Sequence, residues 1–524
     1  MGIPDPAPDP RPTRSPPRWA AEAAGAVIAL AIAALVVARL ASSDRSWLLF
    51  YDGDSLVNTL MWRSLVTGQP QQWALSTVLF VPEFVVYAVL SLFGLGVKAT
   101  LTLNAVVNLV ALYAAIRFVA GTGERARRPV TFSLAAFALF GVLAMLETSA
   151  SRDSLELASL MTTTTYYSAT VIAALVTVGL VRRMLDRGAA RPSRVALAVL
   201  VAVIALSTFS NPIVLAWAVI PVAAVLIVLG ALRRAPLTVV RWATLGMLAG
   251  AVVGLLARIP VSSMISNSGA GYADPSRALE SLRSLGALIV DRVHSVEGIF
   301  SLGLVAVLLA LGVAATVAAA RKGWLAGTFV AAASWGIPVL VVVGAVVLGT
   351  NAPRYLEPLF FAPVLAVTVL PGILPRKVRA PRAVLVVAGA LPIVVVAVGA
   401  LVAVPGLVTE SARVDASIRC VDDWVTASGR VGAGQFWTIR APKAYLADPS
   451  RLLQVDANLD RYAWLVNRAD YTEEAVSFLV SDASGPPTLP MTVEPGPQPT
   501  TIDCGRYTIT DFHTPRVRLR SIHS

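Results

Sequence analysis

Charge is scarce in this chain. Only 14% of its 524 residues are Asp, Glu, Lys or Arg, while 56% are hydrophobic and the mean hydropathy is +0.71. A soluble protein of this length needs far more charge to cover its surface. Histidine and cysteine are nearly missing as well, at three and two residues, which argues against a His/Cys metal cluster. What is abundant is apolar runs of about 20 residues, the length that crosses a bilayer core. The chain therefore reads as a polytopic membrane protein. Its formal charge of +12 would point to nucleic acid in a soluble chain. Here arginines that set membrane topology account for it, and no nucleic-acid partner is expected.

Residues 1–18, Pro-rich and without a packable core, read as a disordered cytoplasmic tail. The next run, Trp19 to Leu40, is too long for a signal-peptide core and reads as a retained first span. Eleven spans are expected: 19–40, 99–120, 130–147, 162–181, 195–210, 212–232, 238–257, 297–320, 324–349, 355–374 and 383–404. Residues 78–95 form a twelfth apolar run. If it does not cross, six arginine-rich connections all face the cytoplasm: "RPTRSPPR", "GERARRPV", "VRRMLDRGAARPSR", "LRRAPLTVVR", "RK" and "PRKVRAPR". If it crosses, five of them face outward. The expectation is therefore an interfacial or re-entrant 78–95, with Pro82 and Glu83 near its start.

Composition changes after Pro405. Residues 405–524 carry ordinary charge and short runs, "FWTIR", "YAWLV", "VSFLV" and "RYTITDF", which read as strands of a small extracytoplasmic α/β or mostly β domain. Cys420 and Cys504 lie near its ends in a compartment that permits disulfides, and are expected to pair. The expected fold is an all-α polytopic membrane domain, 19–404, followed by this domain.

On this topology the outer connections hold the unusual polar residues. The first, 41–98, opens with "WLLFYDGDSLVN", in which Asp52 and Asp54 flank Gly53. The segment after it has apolar residues at helical spacing and stops at Gly68, so it reads as an amphipathic surface helix. A carboxylate pair there can act as a general base or hold a divalent cation. Asp54 is equally placed to cap the helix. The second outer connection carries Glu147, Arg152, Asp153 and Glu156; a later one is "TNAPRYLEP". Each charge taken alone is more simply a solvated group at the membrane boundary.

The order of these features resembles the GT-C superfamily of membrane glycosyltransferases. There, a first span is followed by a large outer loop that opens with an acidic motif and contains interfacial helices. This chain shows "YDGDSLVNTLMWRSLVTGQP", then "LFVPEFVVYAVLSLFGLG", then "ATLTLNAVVNLVALYAAIRFVAG". "APRYLEPLFFAPVLAV" is similar to the start of a late span in the same superfamily. The resemblance covers roughly residues 19–400. It departs from the family in having Asp-Gly-Asp where many members have adjacent acids, and Pro82 alone where some have two prolines.

The resemblance implies an enzyme that takes a sugar from a polyprenyl phosphate in the cell membrane and gives it to a glycan or protein acceptor on the outer face. It implies Asp52 or Asp54 as base, and Asp153 or Glu156 as the acid that orients the acceptor or a metal. Arg354 is the expected phosphate ligand, with Tyr355 donating beside it; interfacial anchoring is the plainer role for both. Lys98 is a second phosphate candidate, and His294 reads as a solvated loop residue. "TTTTYY" (162–167) reads equally as a cavity lining or a helix start. Gly269 and Gly271 suggest a mobile loop. Trp424, Trp437, Tyr462 and Trp464 can stack on sugars, though most fit better as a small core. The Ala/Val/Arg-rich style points to a high-GC bacterium, and so to a cell-envelope glycan. Two other readings stand beside this one: a transporter or flippase, which would be expected to show internal repeats and midplane charges, and a non-catalytic envelope-assembly protein.

Overall fold

The computed structural model describes residues 17–122, 125, 127–187, 192–266, 273–375, 399–483 and 494–523. The expected tail, apart from Pro17 and Arg18, lies outside them, as do Gly269, Gly271 and most of the expected span 383–404.

The chain is mostly helical and membrane-embedded. Its first span is α1 (Arg18–Ala41). The loop after it holds three short helices, α2 (Ser46–Phe50), α3 (Val57–Val66) and α4 (Val81–Ser91). Next come α5 (Val97–Ala120), α6 (Pro129–Met145), α7 (Ser168–Asp186) and α8 (Arg194–Ser210). A π-helical turn at Leu215–Val219 leads into α9 (Ile220–Ala231), followed by α10 (Leu237–Ala257). An amphipathic α11 (Ala278–Arg292) precedes α12 (Val296–Arg321) and α13 (Leu325–Val347). The stretch Pro353–Ile373 includes α14 (Pro358–Phe361) and α15 (Leu365–Ile373), and residues 399–412 form α16.

Seven of these helical stretches, not eleven, are long and apolar enough to cross a membrane among the described residues. The expected spans 130–147, 195–210 and 212–232 are helical, but α6, α8 and Leu215–Ala231 have 17 residues or fewer. At 1.5 Å per residue that is about 26 Å, short of the ~30 Å hydrocarbon core. The breaks are local. Asn211 leaves helical geometry and Pro212 follows it, which separates α8 from the π turn. Residues 78–95 contain only the 11-residue α4, about 16 Å long and too short to cross the hydrocarbon core as a helix.

Two close approaches shape the bundle. Helix α10 lies along α8 with Gly246, Gly250 and Gly254 on the shared face. A Cβ at Gly250 would lie 2.6 Å from the Val201 carbonyl oxygen, and one at Gly254 would lie 2.5 Å from that of Ala205. This four-residue spacing of small residues lets two membrane helices meet backbone to backbone. The helix ends sort by charge. Arginines from the connections after α5, α7, α9 and α12 gather at one end, where Arg234 bonds the Ala320 carbonyl and Arg127 that of Leu374. The connections rich in carboxylates and aromatics gather at the other end.

That second end is covered by a sheet domain. α16 runs through the expected boundary at 405, and the domain itself starts with α17 (Ala416–Ser428). Its strands are β2 (Gly432–Gln435), β3 (Leu452–Val455), β4 (Arg461–Tyr462), β7 (Phe478–Asp482), β8 (Thr500–Cys504), β9 (Tyr507–Asp511) and β11 (Ile522–His523). They form one mixed sheet in the order β11-β4-β3-β2-β7-β9-β8. β5 (Val466–Asn467) pairs instead with β1 (Trp73–Ala74) of the first loop, and β6 (Ala475–Val476) pairs with β10 (Val517–Arg518). "FWTIR", expected as a strand, is the start of α18 (Phe436–Tyr445), which crosses from β2 to its parallel neighbour β3. A crossover between parallel strands calls for such a helix. "VSFLV" and "RYTITDF" contain β6, β7 and β9 as expected. Cys420 and Cys504 are bonded, with Cα atoms 5.4 Å apart, and tie α17 to the edge strand β8.

Candidate active site

The acidic loop leaves α2 and turns sharply before α3. Asp52 makes that turn. Its Oδ2 accepts the backbone N–H groups of Asp54 (3.1 Å) and Ser55 (3.2 Å). Neither acid caps α3, whose N-cap position is Leu56 and carries no side-chain bond; Asp52 closes the turn ahead of the helix, and the Asp54 carboxylate points elsewhere. The Tyr166 hydroxyl stands between the two acids, 3.0 Å from Asp52 Oδ2 and 3.3 Å from Asp54 Oδ2. A phenol has one proton, so it donates to one of them at a time. Arg152 approaches Asp52 Oδ1 at 3.5 Å and stacks 3.6 Å from the Trp437 ring. Asp52 is only 4% exposed. Burial, and then the neighbouring Asp54, push its carboxyl up to about 6 against the pull of Arg152 and Tyr166.

Gly53 is fixed by the sheet domain. A Cβ there would lie 2.8 Å from Phe436 Cε1 and 3.1 Å from Trp437 Cε3. Arg440, fully buried one helical turn along α18, donates to the Gly53 carbonyl (3.2 Å) and the Leu465 carbonyl (2.5 Å). The glycine between the two acids is thus one of the points where the first loop and the C-terminal domain touch. Arg63 adds bonds to the carbonyls of Ala444, Leu446 and Ala447.

Asp54 opens onto a cavity of about 50 Å³ lined also by Thr165, Tyr166, Tyr167, Arg354, Tyr355 and Trp464. Tyr167 and Tyr355 face each other at 6.3 Å, and the Trp217 indole holds the Tyr355 carbonyl at 3.0 Å. Asp153, largely exposed, lies 3.8 Å from Arg354. So Asp52, Asp54, Asp153, Arg354 and Tyr355 are brought together, from segments 300 residues apart in sequence.

Two expected site residues are placed elsewhere. Glu156 is 3% exposed; its Oε2 accepts the N–H groups of Thr148 and Ser149 at 2.8 Å, and it pairs with Arg292 and Arg45. Arg45 also reaches Glu147 and the carbonyls of Ser149 and Ser151. This buried ion network joins three connections and does not line the cavity. Lys98 pairs with Glu410 of α16 at 2.7 Å and also stays out of it.

The donor set around Asp52 fits a divalent cation poorly. One carboxylate oxygen is taken by N–H and O–H donors, and a guanidinium already faces the other. Elsewhere, Asp456, Asp460 and His523 lie within 4.8 Å of one another, but Asp456 already accepts two backbone N–H groups and meets His523 at 3.2 Å.

Tyr166, Arg152 and Arg440 join the site only through the fold, which brings them from the second outer connection and α18 to the acidic loop. Of the two readings of "TTTTYY", the cavity lining holds, through Thr165 and both tyrosines, whereas α7 starts only after it at Ser168; Thr162 and Thr163 bond back to carbonyls of the preceding turn. Trp464 lines the cavity and Trp437 carries Arg152, whereas Trp424 packs on Phe478 in the domain core. No protein-family model matches the chain, and no curated protein matches it.

Proposed function

We propose that the protein is a membrane glycosyltransferase that moves a sugar from a polyprenyl-phosphate carrier to a cell-envelope acceptor on the outer face. One observation carries this reading: a carboxylate, a guanidinium and three aromatic hydroxyls meet in one cavity at the carboxylate-rich end of an apolar helix bundle. Sugar transfer needs a base and a cation together. The acceptor oxygen bonds to the anomeric carbon while the carbon–oxygen bond to the phosphate breaks. The acceptor proton passes to Asp54, and the phosphate leaves on its lipid with its growing charge held by Arg354. Asp52 is a positioning residue that sets the turn and holds Tyr166 and Arg152. The apolar helices supply the surface for the lipid tail.

The positive-inside rule supports an outer location, because the arginine-rich connections gather at the opposite end of the bundle. At ~30 Å³ per water, about 50 Å³ holds one or two waters, so the site must widen to admit a sugar. The test is sugar incorporation in membranes from radiolabelled polyprenyl-phosphate sugars, at matched expression of wild type, Asp54→Asn and Arg354→Gln. The proposal expects losses of at least 100-fold in Asp54→Asn. Equal incorporation in all three membranes refutes it.

A further inference from the structure

A second cavity of about 280 Å³ lies between α4, α5, α7 and α8. Its walls are almost entirely apolar, and Val86, Val107, Ile172, Val176, Val203 and Leu206 are among the lining side chains. Into this wall the chain sets one carboxylate, Glu83, which is 5% exposed. Its Oε1 accepts the Ala169 N–H at 3.3 Å. Its Oε2 is buried and has no partner among the described residues. A buried carboxyl oxygen left unpaired destabilises the fold, so an apolar side chain here would serve the fold better. Burial also pushes this carboxyl up to about 7. Position in the first turn of α4 lessens that cost without removing it.

Glu83 is the sole charged group among the lining residues, which include no Lys, Arg or His. A phosphate or carboxylate head would meet a carboxyl group here and no cation to balance its charge. The cavity therefore selects against the phosphate end of the carrier proposed above, which Arg354 suits. The remaining polar lining groups, Asn108, Ser168, Thr170, Ser207 and Ser210, are uncharged. Asn108 already donates to the Thr163 carbonyl. At about 30 Å³ per water-sized group, the volume takes a chain of roughly nine heavy atoms.

We propose that this cavity binds an amphiphile made of an apolar chain and a hydrogen-bond-donating head, an amine or an alcohol, whose donor meets the Glu83 carboxyl group. The site does not depend on sugar transfer, so its test is one of binding. The full-length protein is placed in nanodiscs, and retention of radiolabelled n-octylamine, n-octanol and octanoate is measured over empty nanodiscs. Octylamine or octanol saturates at one molecule per chain, while octanoate shows no saturable binding. Glu83→Gln keeps the side-chain shape and loses the charge; it weakens the bound amphiphile about tenfold or more. Ala173→Leu fills the cavity and abolishes retention with Glu83 intact. Thermal unfolding of both variants confirms that they are folded. Saturable amine with little alcohol assigns a cationic head, and the reverse assigns a hydroxyl. Equal retention of all three probes, or unchanged affinity in Glu83→Gln, overturns the proposal.

Discussion

Replacing Gly53 by Ala adds one methyl group to the loop between the two acids. Its Cβ would sit 2.8 Å from the edge of the Phe436 ring and 3.1 Å from Trp437, about an ångström inside contact distance. Neither neighbour is the free end of a flexible chain. Phe436 is buried, with the Arg440 guanidinium 5.2 Å from its ring, and Trp437 carries Arg152. If α18 yields, overpacking costs about 1–3 kcal/mol. If the loop yields, Asp52 and Asp54 shift, and a displacement of about 1 Å at a reacting group costs up to ~100-fold in rate. Thermal unfolding in detergent and sugar transfer in membranes, measured on one preparation, separate the two responses. Phe436→Leu, made with Gly53→Ala, leaves room for the methyl and should restore part of whichever property is lost. Gly53→Ala with wild-type unfolding temperature and wild-type transfer would refute the claim that the C-terminal domain sets the acidic loop.

Three more outcomes follow from the same geometry. Asp52 is raised to about 6 in the fold, above the ordinary ~3.9, so the folded protein keeps a proton there that the unfolded chain has released. Stability tied to that proton is present below about pH 4 and is lost as pH rises through 6. The unfolding free energy of wild type minus Asp52→Asn should fall by up to ~3 kcal/mol across that window, and a flat difference would contradict the burial of an ionisable Asp52. Gly250→Leu should drive α10 off α8 and lower the unfolding temperature by several degrees, while Gly303→Leu, whose Cβ faces open space on α12, should not. The Cys420–Cys504 bond closes 84 residues, worth about 4–5 kcal/mol by loop closure. Its reduction, or Cys420→Ser, should lower the unfolding temperature of the sheet domain in a dithiothreitol titration.

The bundle was legible because apolar run length and arginine placement act over twenty residues at a time. Ten of the eleven expected spans are helical where expected, among the described residues, and α4 is too short to cross. The count failed at α6, α8 and α9, where each helix stops a residue or more short and only tertiary packing decides the end. In the C-terminal domain "FWTIR" misled because bulky residues favour strands in isolation, yet the segment bridges two parallel strands. The acidic pair was legible as chemistry, but not the division of labour within it. That division depends on Tyr166 and Arg152, more than 95 residues away in sequence. Glu156 shows the reverse case, a loop acid whose partners, Arg45 and Arg292, come from two distant connections. Gly53 offered a signal: a glycine between two acids and ahead of a helix implies a close neighbour, and that neighbour proved to be α18.

The central claim is that Asp54 takes the acceptor proton as a polyprenyl phosphate leaves. It is tested most directly by release of free polyprenyl phosphate when purified protein is mixed with polyprenyl-phosphate sugars and a cell-envelope glycan fraction. Wild type should release carrier in step with glycan labelling. Asp54→Asn should release at least 100-fold less while unfolding at a temperature near that of wild type. Release at the wild-type rate by Asp54→Asn, or none by wild type with any donor offered, would contradict the account.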